Sequence, residues 1–290
     1  MLKFCIRSFF TEYGRQFLWR LALPHPLKTM RAALLAEVQN CSGEKTIISH
    51  AESEPSWVPG KNIVGAGFCL KPLQPECPVG RFNHDCYFLE NAHLFEGTDI
   101  PLPCQQCTIR TYGIAAHKAG CAFYIMTSAH DILFDLFKPA ADYGVFSCGI
   151  FTLCRFSLKP FAVGMRIAGI QGWMFPFNEG DCRDYQTWLK ADRGTKTEQT
   201  LLPASVHEEI LALLSKHEAA DMTGISFEKR DNIFYPVVSG IMRTFCMLFP
   251  VLFLQLSFSE NGPYYSSEEK EKVAETRQNF LENSFLSSSA

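Results

Sequence analysis

The sequence predicts an α/β protein: a small parallel, Rossmann-like sheet, a cysteine-rich irregular segment, and flanking N- and C-terminal helices. Three observations carry that prediction. From Gly120 to about Asp192, apolar runs of strand length alternate with helix-period segments, as in βαβ units with parallel strands. Ahead of them, from Cys41 to about Pro103, prolines and glycines interrupt any long element. Of the 290 residues, 47% are hydrophobic and 20% charged, enough to build a large core. That composition excludes disordered, collagen-like and heptad-repeat chains.

Residues 1–40 read as an N-terminal helical segment. Ile6, Phe9, Phe10, Tyr13, Phe17 and Leu21 recur at helical spacing until Pro24 and Pro26 stop the pattern. A second helix, from about Leu27 to Val38, is expected to pack or dimerise. Residues 41–119 form the Cys/Pro-rich segment. So long a stretch without regular structure is expected where something other than backbone ladders fixes the chain, here a metal.

Residues 120–200 are the expected βαβ core. Cys121–Thr127 predicts a buried strand, and Ser128 then caps a helix, Ala129–Phe137, that Pro139 ends. Val145–Cys154 predicts a second strand. Lys159-Pro160-Phe161 starts a helix that reaches Ala168, Ile170–Phe177 is a third strand, and Asp181 caps a helix Cys182–Ala191. Residues 201–290 are a helical, apolar region expected to pack on the core. Within it Ser205-Val-His-Glu208 has capping-box spacing, and Ser266-Ser-Glu-Glu269 opens a charged final helix. Residues 287–290 are expected to fray. Residues 244–258 are almost wholly apolar but fall short of the ~20 residues a bilayer span needs, and Pro250 interrupts them. A buried strand or helix pair is expected there rather than membrane association.

The 12 cysteines are the unusual part of the composition. Lys3, Arg7, Glu12, Arg15 and Arg20 break up any apolar signal core, and a chain this apolar needs no disulfide framework. A reducing, cytoplasmic setting is expected, with an organellar matrix as the alternative. A net charge of -3 supplies no field for nucleic acid, so the expected partner is a small molecule or a protein.

All but Cys5, Cys41 and Cys246 lie between Cys69 and Cys182. Cys5 and Cys246 sit on apolar runs and read as packing residues. Cys104-Gln-Gln-Cys107 has the gap that lets two thiolates hold one metal or form a redox dithiol. Upstream, Cys77-Pro-Val-Gly-Arg-Phe-Asn-His84-Asp-Cys86 places Pro and Gly where a chain must turn around an ion. The expected metal ligands are Cys77, Cys86, Cys104 and Cys107, with Cys69, Cys121, Cys154 and Cys182 in reserve. Cys154 closes the second predicted strand and Cys182 lies just past the third, so both belong to the carboxyl edge, where open α/β sheets bind ligands. Each precedes an arginine, and Cys182 opens a predicted helix whose dipole would favour a thiolate. Arg155 and Arg183, with Ser128 after the first strand, are therefore candidate contacts for a cofactor or anionic substrate. The plainer alternative pairs the two arginines with Asp181, Asp184 or Asp192. Acid–base pairs from His84 and Asp85, or His130 and Asp131, are weak because adjacent side chains diverge. Walker A, G-x-S-x-G, H-E-x-x-H and G-x-G-x-x-G patterns are absent from the sequence.

From Cys104-Gln-Gln-Cys107-Thr-Ile109, through Gly120, Phe123-Tyr-Ile125 and Cys154, to Gly180-Asp-Cys182, Asp184 and Trp188, the layout resembles an uncharacterised cysteine-rich α/β domain family of anaerobic microbes. Phe68-Cys69-Leu70-Lys71-Pro72 and Cys77-Pro78 fit the same layout. The resemblance covers about the middle 40% of the chain and implies a metal site, with an iron–sulfur cluster as its occupant, but no particular reaction. The expected function is thus a cysteine-rich metal-binding protein with an iron–sulfur cluster, or zinc, in a redox or cofactor-linked role. One alternative is a non-catalytic protein-interaction module with structural zinc. Another is a thiol–disulfide oxidoreductase using Cys104 and Cys107.

Overall fold

A computed structural model describes residues 11–39, 41, 43–49, 54–95, 100–218 and 225–237. Cys5, Cys246, the apolar run 244–258, the charged final helix and residues 287–290 lie outside the described residues.

The strands are β1 Thr46–Ile48, β2 Asn62–Gly67, β3 Ala122–Met126, β4 Cys148–Leu153, β5 Gln171–Pro176, β6 Phe227–Arg230 and β7 Ile233–Pro236. They form one mixed sheet in the order β1-β5-β4-β2-β3-β7-β6. Its centre, β5-β4-β2-β3, is parallel. β1 adds antiparallel to β5, and the β6–β7 hairpin adds antiparallel to β3. The helices are α1 Glu12–Phe17, running into a π-helical turn at Leu18–Ala22, then α2 Pro26–Val38, α3 Tyr87–Glu90, α4 Leu102–Gln105 and α5 Thr108–Lys118. They continue with α6 Ala129–Ile132, π-helical Leu133–Phe137, α7 Lys138–Tyr143, α8 Arg155–Ala168, α9 Tyr185–Asp192 and α10 Ala204–Ser215.

The three expected strands are present as β3, β4 and β5, each buried along almost its whole length. Burial on both faces is why they read as continuous apolar runs rather than alternating ones. The strand at the centre of the parallel region, β2, lies inside the segment expected to be irregular. Its sequence, Asn-Ile-Val-Gly-Ala-Gly, looks like a turn, yet Gly65 is needed for packing. A Cβ there would stand 2.5 Å from the Phe151 ring of β4. A bare backbone thus lets an aromatic ring cross the neighbouring strand.

Side chains divide by alternation. Val64, Ala66, Phe123, Ile125, Ile150, Trp173 and Phe175 face α5 and α10, whose Ile109, Tyr112, Val206 and Ile210 share that core. Ile63, Tyr124, Phe151 and Met174 face the opposite layer, with Leu133, Phe137, Leu158, Ala162 and Met165. α2 joins this second layer through Ala32 and Ala36 alone, leaving Leu27, Met30, Leu34 and Val38 exposed on its other side. The described residues of the segments 1–40, 41–119, 120–200 and 201–236 thus contribute to these two layers.

Several boundaries differ from expectation, each for a local reason. Pro139 does not end its helix. The π-helical turn at Leu133–Phe137 shifts the bonding pattern, and Pro139 falls in the first turn of α7, where its missing N–H is harmless. α8 begins at Arg155 rather than Lys159, and Pro160 lies within it. α9 begins at Tyr185, because Asp184 and not Asp181 caps it, accepting the Thr187 N–H at 2.9 Å. Ser205 makes no capping box, since α10 already starts at Ala204 behind Pro203. The β6–β7 hairpin replaces helix in the expected helical tail. Its turn is Asp231-Asn232, with Asp231 at φ 52, and the charged run Phe227-Glu-Lys-Arg230 hides the strand.

Candidate functional site

The chain runs from β2 to β3 on one side and then crosses back to β4 on the other, so the strand order reverses at β2. In open α/β sheets the crevice beyond the carboxyl ends at such a reversal is the ligand site. A solvent-open cleft of about 710 Å³ lies there, with Cys69, Thr127, Thr152, Cys154, Ser157 and Asp192 among its polar lining and Met126, Phe137, Phe161, Phe177 and Trp188 among its apolar walls.

The described cysteines are all free thiols, and, apart from half-buried Cys41, the structure sorts them into three groups. Cys77, Cys86, Cys104 and Cys107 converge on one small pocket together with Lys71, Asp85 and Arg110. They come from separate stretches of the connection between β2 and α5. Cys86 precedes α3 as its N-cap, Cys104 lies in α4, and Cys107 is the N-cap of α5. The helix start that the Cys104/Cys107 pair lacks in the sequence is thus supplied by α5, with Cys107 at its N-cap position and without a capping hydrogen bond to its side chain.

Burial nevertheless dominates Cys86, Cys104 and Cys107. It pushes Cys86 up to about 12 and, with the neighbouring Cys107 and Cys77 charges, Cys104 to about 11. Cys107 is raised for the same reason. Lys71 is 1% exposed, and its ammonium donates to the Gly80 carbonyl (3.3 Å), the Asn83 carbonyl (3.1 Å) and Asn83 Oδ1 (2.5 Å). Burial lowers its pKa, against the opposing pull of Cys77 and Cys86. Among the described residues no three His, Cys, Asp or Glu side chains already stand in metal-coordinating geometry.

The second group, Cys69, Cys154 and Cys182, gathers at the carboxyl ends of β2, β4 and β5. Cys154 is the N-cap of α8, and Cys182 sits in the loop before α9 rather than opening that helix. The dipole argument therefore does not hold for Cys182. Its pKa is lowered instead by a hydrogen bond from the Cys154 thiol and by the Lys196 ammonium, 3.7 Å from its sulfur. Cys154 is correspondingly raised, by that bond and by burial. The third group stands at the opposite end of the sheet. Cys121 immediately precedes β3 and Cys148 opens β4, so Cys121 is remote from the carboxyl-edge thiols, and burial raises it well above the usual thiol range.

The remaining candidates are placed as follows. The Asp181 carboxylate, which expectation put on α9, caps α8 by accepting the Arg155 N–H at 3.0 Å, and the Arg155 side chain lies 3.9 Å from it. Arg183 is exposed. The Ser128 hydroxyl donates to Asp131 Oδ2 (2.7 Å) and accepts the Asp131 N–H (3.1 Å), completing the expected capping box.

Sequence reasoning missed a polar relay at the cleft rim. His84 Nδ1 donates to the Ile125 carbonyl (2.8 Å), and its Nε2 lies 3.0 Å from Thr127 Oγ1, which donates to Asp131 at 2.5 Å. The bond to His84 is the main reason that Asp131 is held well below the usual carboxylate range, with Thr127 and Ser128 adding to it. Asp192 likewise went unremarked as a cap, yet its buried carboxylate accepts the Ala129 N–H at 2.6 Å. No pattern in the sequence marks the partners of His84 and Asp192, because those pairs join distant segments.

The chain matches no protein-family model, no curated protein and no solved structure. The class of protein therefore rests on the fold and the site: an α/β protein with a carboxyl-edge cleft, a group of thiols at that edge, and a second pocket lined by four thiols.

Proposed function

We propose that this is a metal-binding protein whose centre is held by Cys77, Cys86, Cys104 and Cys107, with an iron–sulfur cluster as occupant and zinc as the alternative. One observation carries this reading: four thiols from separate stretches of an otherwise irregular connection face a single small pocket. Four thiolates suit either occupant. Lys71 supports the assignment, because a buried ammonium beside four thiols offsets the charge they acquire on binding metal. The raised thiol pKa values mean that metal uptake releases protons and weakens as pH falls. The cleft beyond β2 and β4 supports a Rossmann-like reading of the parallel strands, with a small molecule as partner and a redox or cofactor-linked role. No helix among the described residues is long and apolar enough to cross a membrane. The free thiols accord with a reducing compartment, cytoplasm or organellar matrix.

Anaerobic purification followed by metal and sulfide analysis tests the reading. Iron with acid-labile sulfide and a broad absorption near ~400 nm is expected, and a Cys104→Ser/Cys107→Ser double variant should lose both. Stoichiometric zinc without sulfide, lost in the same variant, would replace the cluster with a structural zinc. A purified and reconstituted chain that retains neither metal, or metal retained in the double variant, would overturn the ligand set.

A further inference from the structure

Among the described residues no Lys, Arg or His lines the cleft beyond β2 and β4, and Asp192 supplies the only carboxylate in its lining. Asp192 Oδ1 accepts the Ala129 N–H at 2.6 Å, while among the described residues nothing donates to Oδ2 and no ion pair engages the side chain. Burial raises its pKa and the like charge of Asp131 adds to that, while the Ala129 N–H, Arg193 and His130 oppose it. A carboxylate set against apolar walls is stabilised by a cation beside it.

Anions are poorly served at the same place. At the reversal point of an open α/β sheet, phosphates and carboxylates bind the N–H groups that open the neighbouring helices. Here the two helices that start at the cleft, α6 and α8, are closed by carboxylates of the chain itself. Asp192 and the Ser128–Asp131 box take the start of α6, and Asp181 accepts the Arg155 N–H at the start of α8, at 3.0 Å. A ligand anion would meet these charges with no cation in the lining to offset them.

The walls narrow the choice of cation. Trp188 and Asp192 stand four residues apart on α9, hence on one face of it, and both line the cleft. Trp188 and Tyr13 are half-buried there, ahead of the buried rings of Phe137, Phe161 and Phe177. Aromatic faces attract ammonium groups, and a nitrogen clothed in carbon gives up less water on entering them than a bare ammonium does.

We propose that the cleft binds a small organic ammonium ion, tertiary or quaternary and carrying an apolar or aromatic body, with Asp192 as its counter-ion and Trp188 as the ring it packs on. Its assignment rests on the small-molecule reading of the cleft and needs nothing from the four-thiol pocket.

Calorimetric titration of the full, folded chain with three probes of similar shape tests this. They are 3-hydroxyphenyltrimethylammonium, its uncharged isostere 3-tert-butylphenol, and the anion 3-hydroxybenzoate. The ammonium should bind about tenfold more tightly than the isostere, and the anion should not bind. Asp192→Asn keeps an oxygen for the Ala129 N–H, so the helix cap survives while the charge is lost. That variant should bind the ammonium about tenfold more weakly and the isostere as before, with metal content unchanged. Trp188→Leu should weaken the ammonium more than the isostere, and equal weakening would remove Trp188 from the site. Equal binding of ammonium and isostere, preference for the anion, or undiminished ammonium binding in Asp192→Asn would overturn the ligand class while leaving the cleft a small-molecule site. Failure of all three probes to bind would overturn both.

Discussion

His84, Thr127 and Asp131 show what a single residue can and cannot announce. Asp131 is legible locally, because Ser128 three residues earlier marks a capping box, and the box forms. His84 is not, because its partners Ile125, Thr127 and Asp131 lie about forty residues away in sequence, in β3 and just after it. Asp131 therefore bears two loads, a helix cap and the acceptor of the relay. Its folded pKa is depressed below the unfolded value of about 3.9. A group of that sign adds stability that is fully present above the unfolded pKa and is lost as pH falls through the folded one. Asp131→Ala should therefore cost about 1 kcal/mol at pH 7, the worth of a cap, as measured by urea denaturation. The gap between variant and wild type should close as pH falls below about 4. A gap independent of pH would mean that the carboxylate charge contributes nothing.

Among the elements, α2 reverses the usual arrangement. Its large side chains point outward, with Leu27 76% and Val38 81% exposed, while Ala32 and Ala36 meet the body of the protein. Small residues permit a close approach to α8, so the contact is made by backbone proximity rather than by interdigitated leucines. Ala36→Leu should destabilise by about 1–3 kcal/mol through overpacking. Leu34→Ala, on the exposed face, should stay within about 0.5 kcal/mol. Equal effects in chemical denaturation would mean that the helix packs by its other face. β2 teaches a related lesson. Its glycines read as turn residues, yet Gly65 makes room for the Phe151 ring on the next strand and Gly67 for the Phe177 ring, and no property of Gly65 alone reveals its neighbour.

At the scale of the whole molecule, the connection from Phe68 to Cys107 carries little regular structure, and polar anchors hold it. The Arg81 guanidinium donates to the Cys69 carbonyl (2.9 Å), the Lys196 carbonyl (3.2 Å) and the Glu198 carbonyl (3.1 Å). Lys71 ties Gly80 and Asn83 to the end of β2, and Lys229 of the hairpin bonds Asp85 and Glu90. A centre at the four thiols would close the remaining side of this connection. Binding to the folded state alone adds stability by mass action. Chelation of the purified protein should then lower the thermal midpoint by roughly 5 °C or more. It should also expose residues 72–107 to proteolysis before the sheet. Cleavage that begins elsewhere would mean that metal does not hold this connection.

The sequence by itself determined three of the four parallel strands, the capping box at Ser128 and the four thiols that share one pocket. These are local signals: a continuous apolar run, a three-residue cap spacing, and cysteines set among prolines and glycines. Only the tertiary structure decided that β2 lies at the centre of the sheet, that Cys121 stands at the opposite end from Cys154 and Cys182, and that Lys196 faces Cys182. In each of these cases the deciding neighbour comes from a distant part of the chain. Burial, ring packing and the approach of a charge to a sulfur depend on distance through space, and only the folded chain sets that distance.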